Sequence, residues 1–327
     1  MFRKLTFALL ALTLLLAACA PALTPAPAPT LAATLIPATT APILPPPTPD
    51  TNVSLTDGLG RQVMLAEPAQ KVVSLAPSNT EILFAIGAGG QTVGRDMFSD
   101  YPPEALALTD IGGSMGEYNL EAILALQPDL VLAAEINPTE LVKSLEDLGL
   151  TVFYLKNPLT LEEMYTNVEI VAQLTGRETE AAALVESLKQ RVAAVDEKVA
   201  PFSTIFPVFY EIDASNPSQP YTAGKGTFIT LLIARAGGYN IAAELDGYPQ
   251  LSIEKIVADD PMFIILGDAM WGVTVESVGQ RPGWENLRAV KQNKVFPFDD
   301  NLISRPGPRL VDGLEQLVEL LRPGLLK

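Results

Sequence analysis

The chain has 327 residues, with one cysteine, no histidine and a formal net charge of -16 at pH 7. Without histidine it can form no Ser-His-Asp triad, no Cys-His dyad, no histidine-containing zinc site and no histidine-ligated haem. One cysteine excludes an internal disulfide, and the negative charge argues against a nucleic-acid partner. Hydrophobic residues make up 48% of the chain, which predicts a folded body with room for two domains.

The N-terminal residues have the pattern of an export signal. Arg3 and Lys4 precede an apolar run that ends at Leu16-Ala17-Ala18-Cys19. This ending resembles the bacterial lipobox, in which the peptide is cut before the cysteine and the cysteine is lipidated. We therefore expect residues 1–18 to be a lipoprotein signal peptide and Cys19 to carry a lipid anchor on the extracytoplasmic face of a bacterial membrane. A plain secretory signal or an uncleaved anchor is the alternative.

Residues 19–52 are rich in proline, alanine and threonine and carry almost no charge. Such a composition does not support a helix or a central strand. We expect a tether, periplasmic or on the cell surface, that holds a folded body near the membrane.

From Val53 onward, the sequence predicts strands that alternate with helices. A hairpin with Asp57-Gly58 at its turn comes first. Short apolar strands separated by helices are typical of a mostly parallel sheet covered on both faces. In chain order, the predicted elements are strand 71–75, helix 78–86, strand 91–94, a helix from 119, strand 129–134, helix 139–148, strand 151–155, helices 161–174 and 178–199, strand 205–212, helices from about 226 and from 252, strands 262–266 and 295–298, and helix 309–321.

One segment of the chain is repeated later in the sequence. The stretch from Asn119 to Leu132 aligns without gaps to the stretch from Ser252 to Ile265. Each copy has a helix N-cap residue, a glutamate two places later, a short amphipathic helix, a proline and an apolar strand. Two copies at equivalent positions predict two similar lobes.

The segment 178–199 predicts one long helix between the lobes. Its apolar face is made by Leu184, Leu188, Val192, Val195 and Val199. Its opposite, charged face is made by Glu186, Lys189, Arg191 and Lys198. A helix of this length spans about 33 Å, so it would be a stiff joint. The predicted domains are an N-terminal lobe at 53–160, connecting helices at 161–200 and a C-terminal lobe at 201–327.

Taken together, these segments resemble the periplasmic-binding proteins that serve ABC importers of cobalamin, ferric siderophores and haem. The matching stretches are KVVSLAPSNTEILFAIGAG, VGRDMFSDYPPEA, NLEAILALQPDLVLA, AGKGTF, GYPQLSIEKI and ISRPGPRLVDGL. They cover about residues 53–321, and SNTE, SDYPP and PQxSxE are most similar to vitamin B12 binding proteins. The resemblance implies two α/β lobes with mostly parallel central sheets, joined by one long connecting helix.

The resemblance also implies a function: a monomeric, lipid-anchored substrate-binding protein without catalysis or cofactor. It would capture a metal chelate or corrinoid between the lobes and deliver it to an ABC permease dimer. In the family, a glutamate on each lobe docks into arginine pockets of the permease, and the matching residues are Glu121 and Glu254. The alternative is that both simply complement the helix dipole in a first turn.

Ligand contacts are expected from loops at the strand ends that face the inter-lobe cleft. Aromatic walls suit a flat or bulky ligand, although ordinary packing is the alternative for each ring. The candidates are Phe98, Ser114, Met115 and Tyr118 in the first lobe, and Tyr221, Tyr248, Trp271, Asn301 and Arg305 in the second.

The chain departs from the B12-binding pattern at several of these positions. Ser114, Met115 and Ala134 stand where large aromatic residues are expected, and Asn301 stands where an aspartate is expected. Arg305 could meet a carboxylate, phosphate or iron-bound oxygen. The ligand therefore stays open among a corrinoid, a neutral or cationic hydroxamate chelate and a haem held by Tyr118. A triply anionic catecholate would require more arginine and lysine side chains than these loops contain.

The sequence also contains patterns typical of other classes of protein. Gly112 to Gly116 spells the G-x-S-x-G pattern of serine hydrolases, but no histidine is present to take the proton. The stretch Gly224 to Thr227 lacks the spacing of a phosphate-binding P-loop. A lipid-anchored adhesion or scaffold protein would share the signal and the acidic surface, but it would need neither two lobes nor a matched glutamate pair.

Overall fold

The structure is a computed structural model that describes residues 52–327. The predicted signal peptide, Cys19 and nearly all of the predicted tether therefore lie outside the described residues. None of the helices within residues 52–327 is both long and apolar enough to span a bilayer.

The first lobe is built on a five-stranded parallel sheet. Its elements are β1 (Val53–Thr56), β2 (Gln62–Leu65), β3 (Val72–Ser74), α1 (Pro77–Ala85), β4 (Thr92–Arg95), β5 (Thr109–Asp110), β6 (Gly112–Ser114), β7 (Glu117–Tyr118), α2 (Leu120–Leu126), β8 (Leu130–Ala134), α3 (Thr139–Asp147) and β9 (Val152–Leu155). The strand order is β5-β4-β3-β8-β9, and all four pairings are parallel. The strands β3 and β9 are buried along their whole length, which explains their continuous apolar sequence. The hairpins β1–β2 and β6–β7 are antiparallel.

The second lobe repeats this plan with four parallel strands. After the connecting helices α4 (Leu161–Thr175) and α5 (Glu178–Val199), its elements are β10 (Phe206–Glu211), α6 (Phe228–Arg235), β11 (Gly238–Asn240), α7 (Ile253–Asp259), β12 (Phe263–Leu266), α8 (Val275–Gly279), α9 (Arg288–Lys291), β13 (Val295–Pro297), α10 (Asn301–Ser304) and α11 (Leu310–Leu321). The strand order is β11-β10-β12-β13. The predicted α/β fold with two lobes is thus confirmed.

The helix α5 has the predicted bounds and packs between α4 and α11. Leu188, Val192 and Val195 on its predicted apolar face are buried. One hydrophobic core runs through both lobes and the connecting helices, so the joint is packed on its apolar side. Arg191 was expected among the exposed charges, but it forms ion pairs with Asp312 and Glu315 of α11 because α11 covers that side of the helix.

The two similar sequence segments, which begin at Asn119 and Ser252, also have similar structures. The side chain of Asn119 accepts a hydrogen bond from the Ala122 amide (3.0 Å), and that of Ser252 accepts one from the Lys255 amide (3.3 Å). Each cap starts a helix of 7 residues, α2 or α7. Both helices are followed by a non-glycine residue in the left-handed region, namely Gln127 and Asp260. The exact domain boundaries that were drawn from the sequence stay a prediction.

Candidate ligand-binding cleft

A cavity of about 500 Å³ lies between the lobes. Its first-lobe wall is made by the first turn of α1 and by the segments that follow β8 and β9. Its second-lobe wall is made by Tyr248 and by the connection between α10 and α11, which includes Arg305. The first-lobe segments lie at the carboxyl ends of parallel strands, where open α/β sheets commonly bind ligands.

The guanidinium of Arg305 already has acidic partners across the lobes. One amino group, Nη1, donates to Asp100 Oδ1 (2.6 Å) and to Glu81 Oε1 (3.3 Å). The other, Nη2, donates to the Phe98 carbonyl oxygen at 3.1 Å. Arg305 thus lines the cleft, as expected, with most of its charge compensated by the first lobe.

The predicted aromatic contacts divide between two places. Tyr248 lines the cleft, and the Phe98 backbone touches Arg305 there. Trp271 lines a second cavity of about 560 Å³ within the second lobe, and 76% of its surface is exposed. Tyr221 pairs through its backbone with Asp213 and leaves its ring partly exposed. Exposed rings beside cavities are available for a ligand, and their roles as contacts stay predictions.

Ser114 and Met115 lie at the tip of the β6–β7 hairpin. Met115 has a φ of 51° and is 98% exposed. A non-glycine residue in the left-handed region costs conformational energy and often marks a functional loop. The G-x-S-x-G stretch is therefore an antiparallel hairpin, and it differs from the strand-to-helix elbow of serine hydrolases.

Two predicted contacts are anchored by polar neighbours. The Tyr118 hydroxyl donates to the Leu75 carbonyl oxygen (2.9 Å) and accepts from the Asn137 amide (2.7 Å). Burial and the charge of Asp96 raise the pKa of Tyr118 to about 12, which disfavours the tyrosinate that would ligate a haem. Asn301 begins α10, and its backbone N–H donates to the Asp299 carboxylate (3.1 Å).

Sequence reasoning missed most of the residues that line these cavities, and three of them carry polar groups that matter below. Ser78 and Lys156 line the cleft, and Asp268 lines the second-lobe cavity. Lys156 directly follows β9, and Asp268 is two residues beyond β12. The rule that strand ends face the cleft could have indicated both, whereas Ser78 carried no signal of its own.

Asp268 belongs to a buried group of charges. Its Oδ2 accepts from the Ala214 amide at 3.1 Å, while its Oδ1 has no donor among residues 52–327. The neighbouring Glu211 forms a bidentate ion pair with Arg281, at 2.6 and 2.8 Å. Burial and the charge of Glu211 raise the pKa of Asp268 to about 7. In the described part of the chain, no group of three or more acidic or cysteine side chains could hold a metal ion.

The two predicted docking glutamates occupy equivalent surface positions. Glu121 and Glu254 are exposed, and each lies in the first turn of a repeat helix, α2 or α7. The backbone amide of Glu254 and the Ser252 hydroxyl lower the pKa of the Glu254 carboxyl. The repeat therefore presents one charged carboxylate on each lobe.

Two parallel-sheet lobes, a packed helical joint and a cavity between the lobes define a two-lobed solute-binding protein. A family model described as periplasmic binding protein matches residues 72–302, and the chain belongs to that family.

Three similar proteins illustrate the relationship. The uncharacterized ABC transporter substrate-binding lipoprotein YvrC of Bacillus subtilis is 34% identical over 84% of this chain and 87% of its own. The crystal structure of the periplasmic vitamin B12 binding protein BtuF of Vibrio cholerae has a TM-score of 0.66 and 29% identity, over 78% of this chain and 97% of that one. The periplasmic heme-binding protein RhuT from Roseiflexus sp. RS-1 has a TM-score of 0.70 and 27% identity, over 79% of this chain and 100% of that one. The chain is a substrate-binding protein of an ABC transporter.

Proposed function

We propose that this protein captures a corrinoid in the inter-lobe cleft and hands it to an ABC permease. The choice of ligand rests on the ion pairs of Arg305, because its guanidinium is already bound by Asp100 and Glu81. A cleft whose main cation is already paired suits a ligand without a large net negative charge. A corrinoid meets that requirement, whereas a triply anionic catecholate does not.

The similarity to a B12 binding protein supports the same choice, since 29% identity extends over 78% of the chain. The exposed ring of Tyr248 at the cleft offers contact area for a bulky ligand, and an aromatic side chain has few rotatable bonds to fix on binding. Haem is the second candidate, supported by the similarity to a heme-binding protein. Its two propionates and the raised pKa of Tyr118 make it the weaker one.

Delivery would use Glu121 and Glu254 as paired docking charges, with Cys19 carrying the lipid anchor. The exposure of both glutamates on equivalent helices supports the docking role. Charged groups at the rim of an interface set the orientation and the association rate more than the affinity. The lobe boundaries at 160 and 200 and the monomeric state are part of the same proposal.

Calorimetric titration of a soluble chain that begins at Ala20 tests the choice of ligand. The probes are cyanocobalamin, a neutral ferric hydroxamate and haemin. We expect saturable one-to-one binding of cyanocobalamin. Binding of haemin or of the hydroxamate alone would assign a different cargo, and binding of none of the three would leave a substrate-binding protein with another ligand.

A further inference from the structure

The first turn of α1 meets the cleft with hydrogen-bond donors that are not in use. The N-cap residue Ala76 has no side chain that could cap the helix, and Pro77 has no amide hydrogen. Within residues 52–327, the backbone amides of Ser78 and Asn79 have no acceptor. A helix N-terminus concentrates about half a positive charge on such amides, which favours an anion.

A side chain points to the same kind of ligand. Ser78 is only 8% exposed and lines the cleft cavity. No hydrogen bond joins its hydroxyl to another residue of the described part of the chain. The hydroxyl is not one of the fully buried atoms without a partner, so it opens onto the cavity, where its hydrogen-bonding capacity is free for a ligand.

The charges around this turn are compatible with one anionic group. Lys156 and Arg305 line the same cavity. The wall also holds one acid, Glu135, whose Oε2 accepts a hydrogen bond from the Asn157 backbone amide at 2.7 Å, and Lys156 is the cation of the same wall that offsets it. The carboxylate of Glu81, further along α1, is compensated by Arg305 and by a second arginine, Arg309.

We propose that the first turn of α1 binds a phosphate-type oxyanion of the transported ligand. The amides of Ser78 and Asn79 and the Ser78 hydroxyl donate hydrogen bonds to it, and Lys156 supplies positive charge. This inference rests on the proposed function and specifies the part of the corrinoid that is recognised. A complete cobalamin carries one phosphodiester in its nucleotide loop, whereas cobinamide is the same corrin without that loop. The protein should therefore select complete cobalamins.

The test compares cyanocobalamin with dicyanocobinamide by calorimetry of the chain that begins at Ala20. We expect the wild-type protein to bind cyanocobalamin at least about tenfold more tightly, the effect of one charge-assisted hydrogen bond. Ser78→Asp should remove that preference by repelling the phosphate, so its affinity for cyanocobalamin should fall at least about tenfold more than its affinity for cobinamide. Ser144→Asp is the matched control, because it adds the same charge at an exposed position of α3 that does not line the cavity.

Equal affinities of the wild-type protein for the two corrinoids would overturn the inference and leave the proposed function intact. An equal loss of both affinities in Ser78→Asp would also overturn it, because the substitution would then act on the whole cleft.

If neither corrinoid binds, the proposed function fails and inorganic phosphate becomes the deciding probe. Phosphate, but not chloride at equal ionic strength, should then shift the ¹⁵N–¹H resonances of Ser78 and Asn79 in the wild-type protein and leave them unmoved in Ser78→Asp. In that case, unmoved wild-type resonances would overturn the inference as well.

Discussion

Glu81 in the first lobe and Arg309 in the second form a bidentate ion pair, with Nε–Oε2 and Nη2–Oε1 distances of 2.9 and 2.6 Å. The side chain of Glu81 is 2% exposed, and that of Arg309 is 12% exposed. The ring of Tyr101 lies 4.0 Å from the Arg309 guanidinium and shields it from water. The lobes are therefore held together by a desolvated charge pair beside the ligand cleft, in addition to the α5 joint.

Removing Arg309 should destabilise the fold strongly. Arg309→Ala leaves the Glu81 carboxylate buried with the longer Arg305 contact as its remaining ion pair, and we expect a loss of about 3 kcal/mol in the free energy of unfolding. Arg288→Ala is the control, because the Arg288–Asp260 pair is exposed and should cost about 1 kcal/mol or less. Urea denaturation measures both, and equal losses would show that the inter-lobe pair has no special role.

The buried Asp268 should make stability depend on pH. Its raised pKa means that the folded state favours the protonated acid, so its stabilising contribution is complete below about pH 4 and is lost as the pH rises through about 7. Asp268→Asn resembles the protonated acid at every pH. We therefore expect it to raise the free energy of unfolding by about 1–3 kcal/mol at pH 8 and by almost nothing at pH 4. A gain that is the same at both values would contradict the assignment.

Glu121 and Glu254, the glutamates proposed to dock, should affect transport without affecting capture. The double variant Glu121→Gln with Glu254→Gln is expected to keep the wild-type affinity for cyanocobalamin and to reduce cobalamin uptake by cells at least about tenfold. The matched control is Glu140→Gln with Glu276→Gln, because these exposed glutamates also lie in helix first turns, of α3 and α8. Equal uptake by the two double variants would remove the docking role.

The two tryptophans should respond differently to the ligand. Trp284 is fully buried, whereas Trp271 is 76% exposed beside the second-lobe cavity. If Trp271 contacts the corrinoid, ligand binding should change the emission of the wild-type protein but not of Trp271→Phe. A solution of free tryptophan with the same absorbance, titrated with the same corrinoid, corrects for the light that the corrinoid absorbs. A wild-type response that persists in the variant would place Trp271 outside the contact.

The parts of the fold with long periodic patterns could be predicted from the sequence. The helix α5 begins and ends at the expected residues, because its apolar spacing continues over 22 residues. The strand β11 and the helices α8, α9 and α10 were missed, because elements of 3 to 5 residues carry too little periodicity.

Residues of the site that directly follow strands could be predicted from the sequence. Contacts between residues far apart in the chain could not. Tyr248 and Arg305 do line one cleft. The partners of Arg305 could not be predicted, because Glu81 and Asp100 are 224 and 205 positions away in the chain. The unused hydroxyl of Ser78 is likewise visible only once the surrounding hydrogen bonds are known.

Equilibrium dialysis against cyanocobalamin tests the central claim most directly, with the wild-type chain and a Tyr248→Ala variant compared side by side. The account predicts one corrinoid retained per wild-type chain and an affinity at least about tenfold weaker in the variant, whose cleft has lost an aromatic wall. No retention by the wild-type chain would contradict corrinoid capture. Equal retention by both chains would place the binding site outside the inter-lobe cleft.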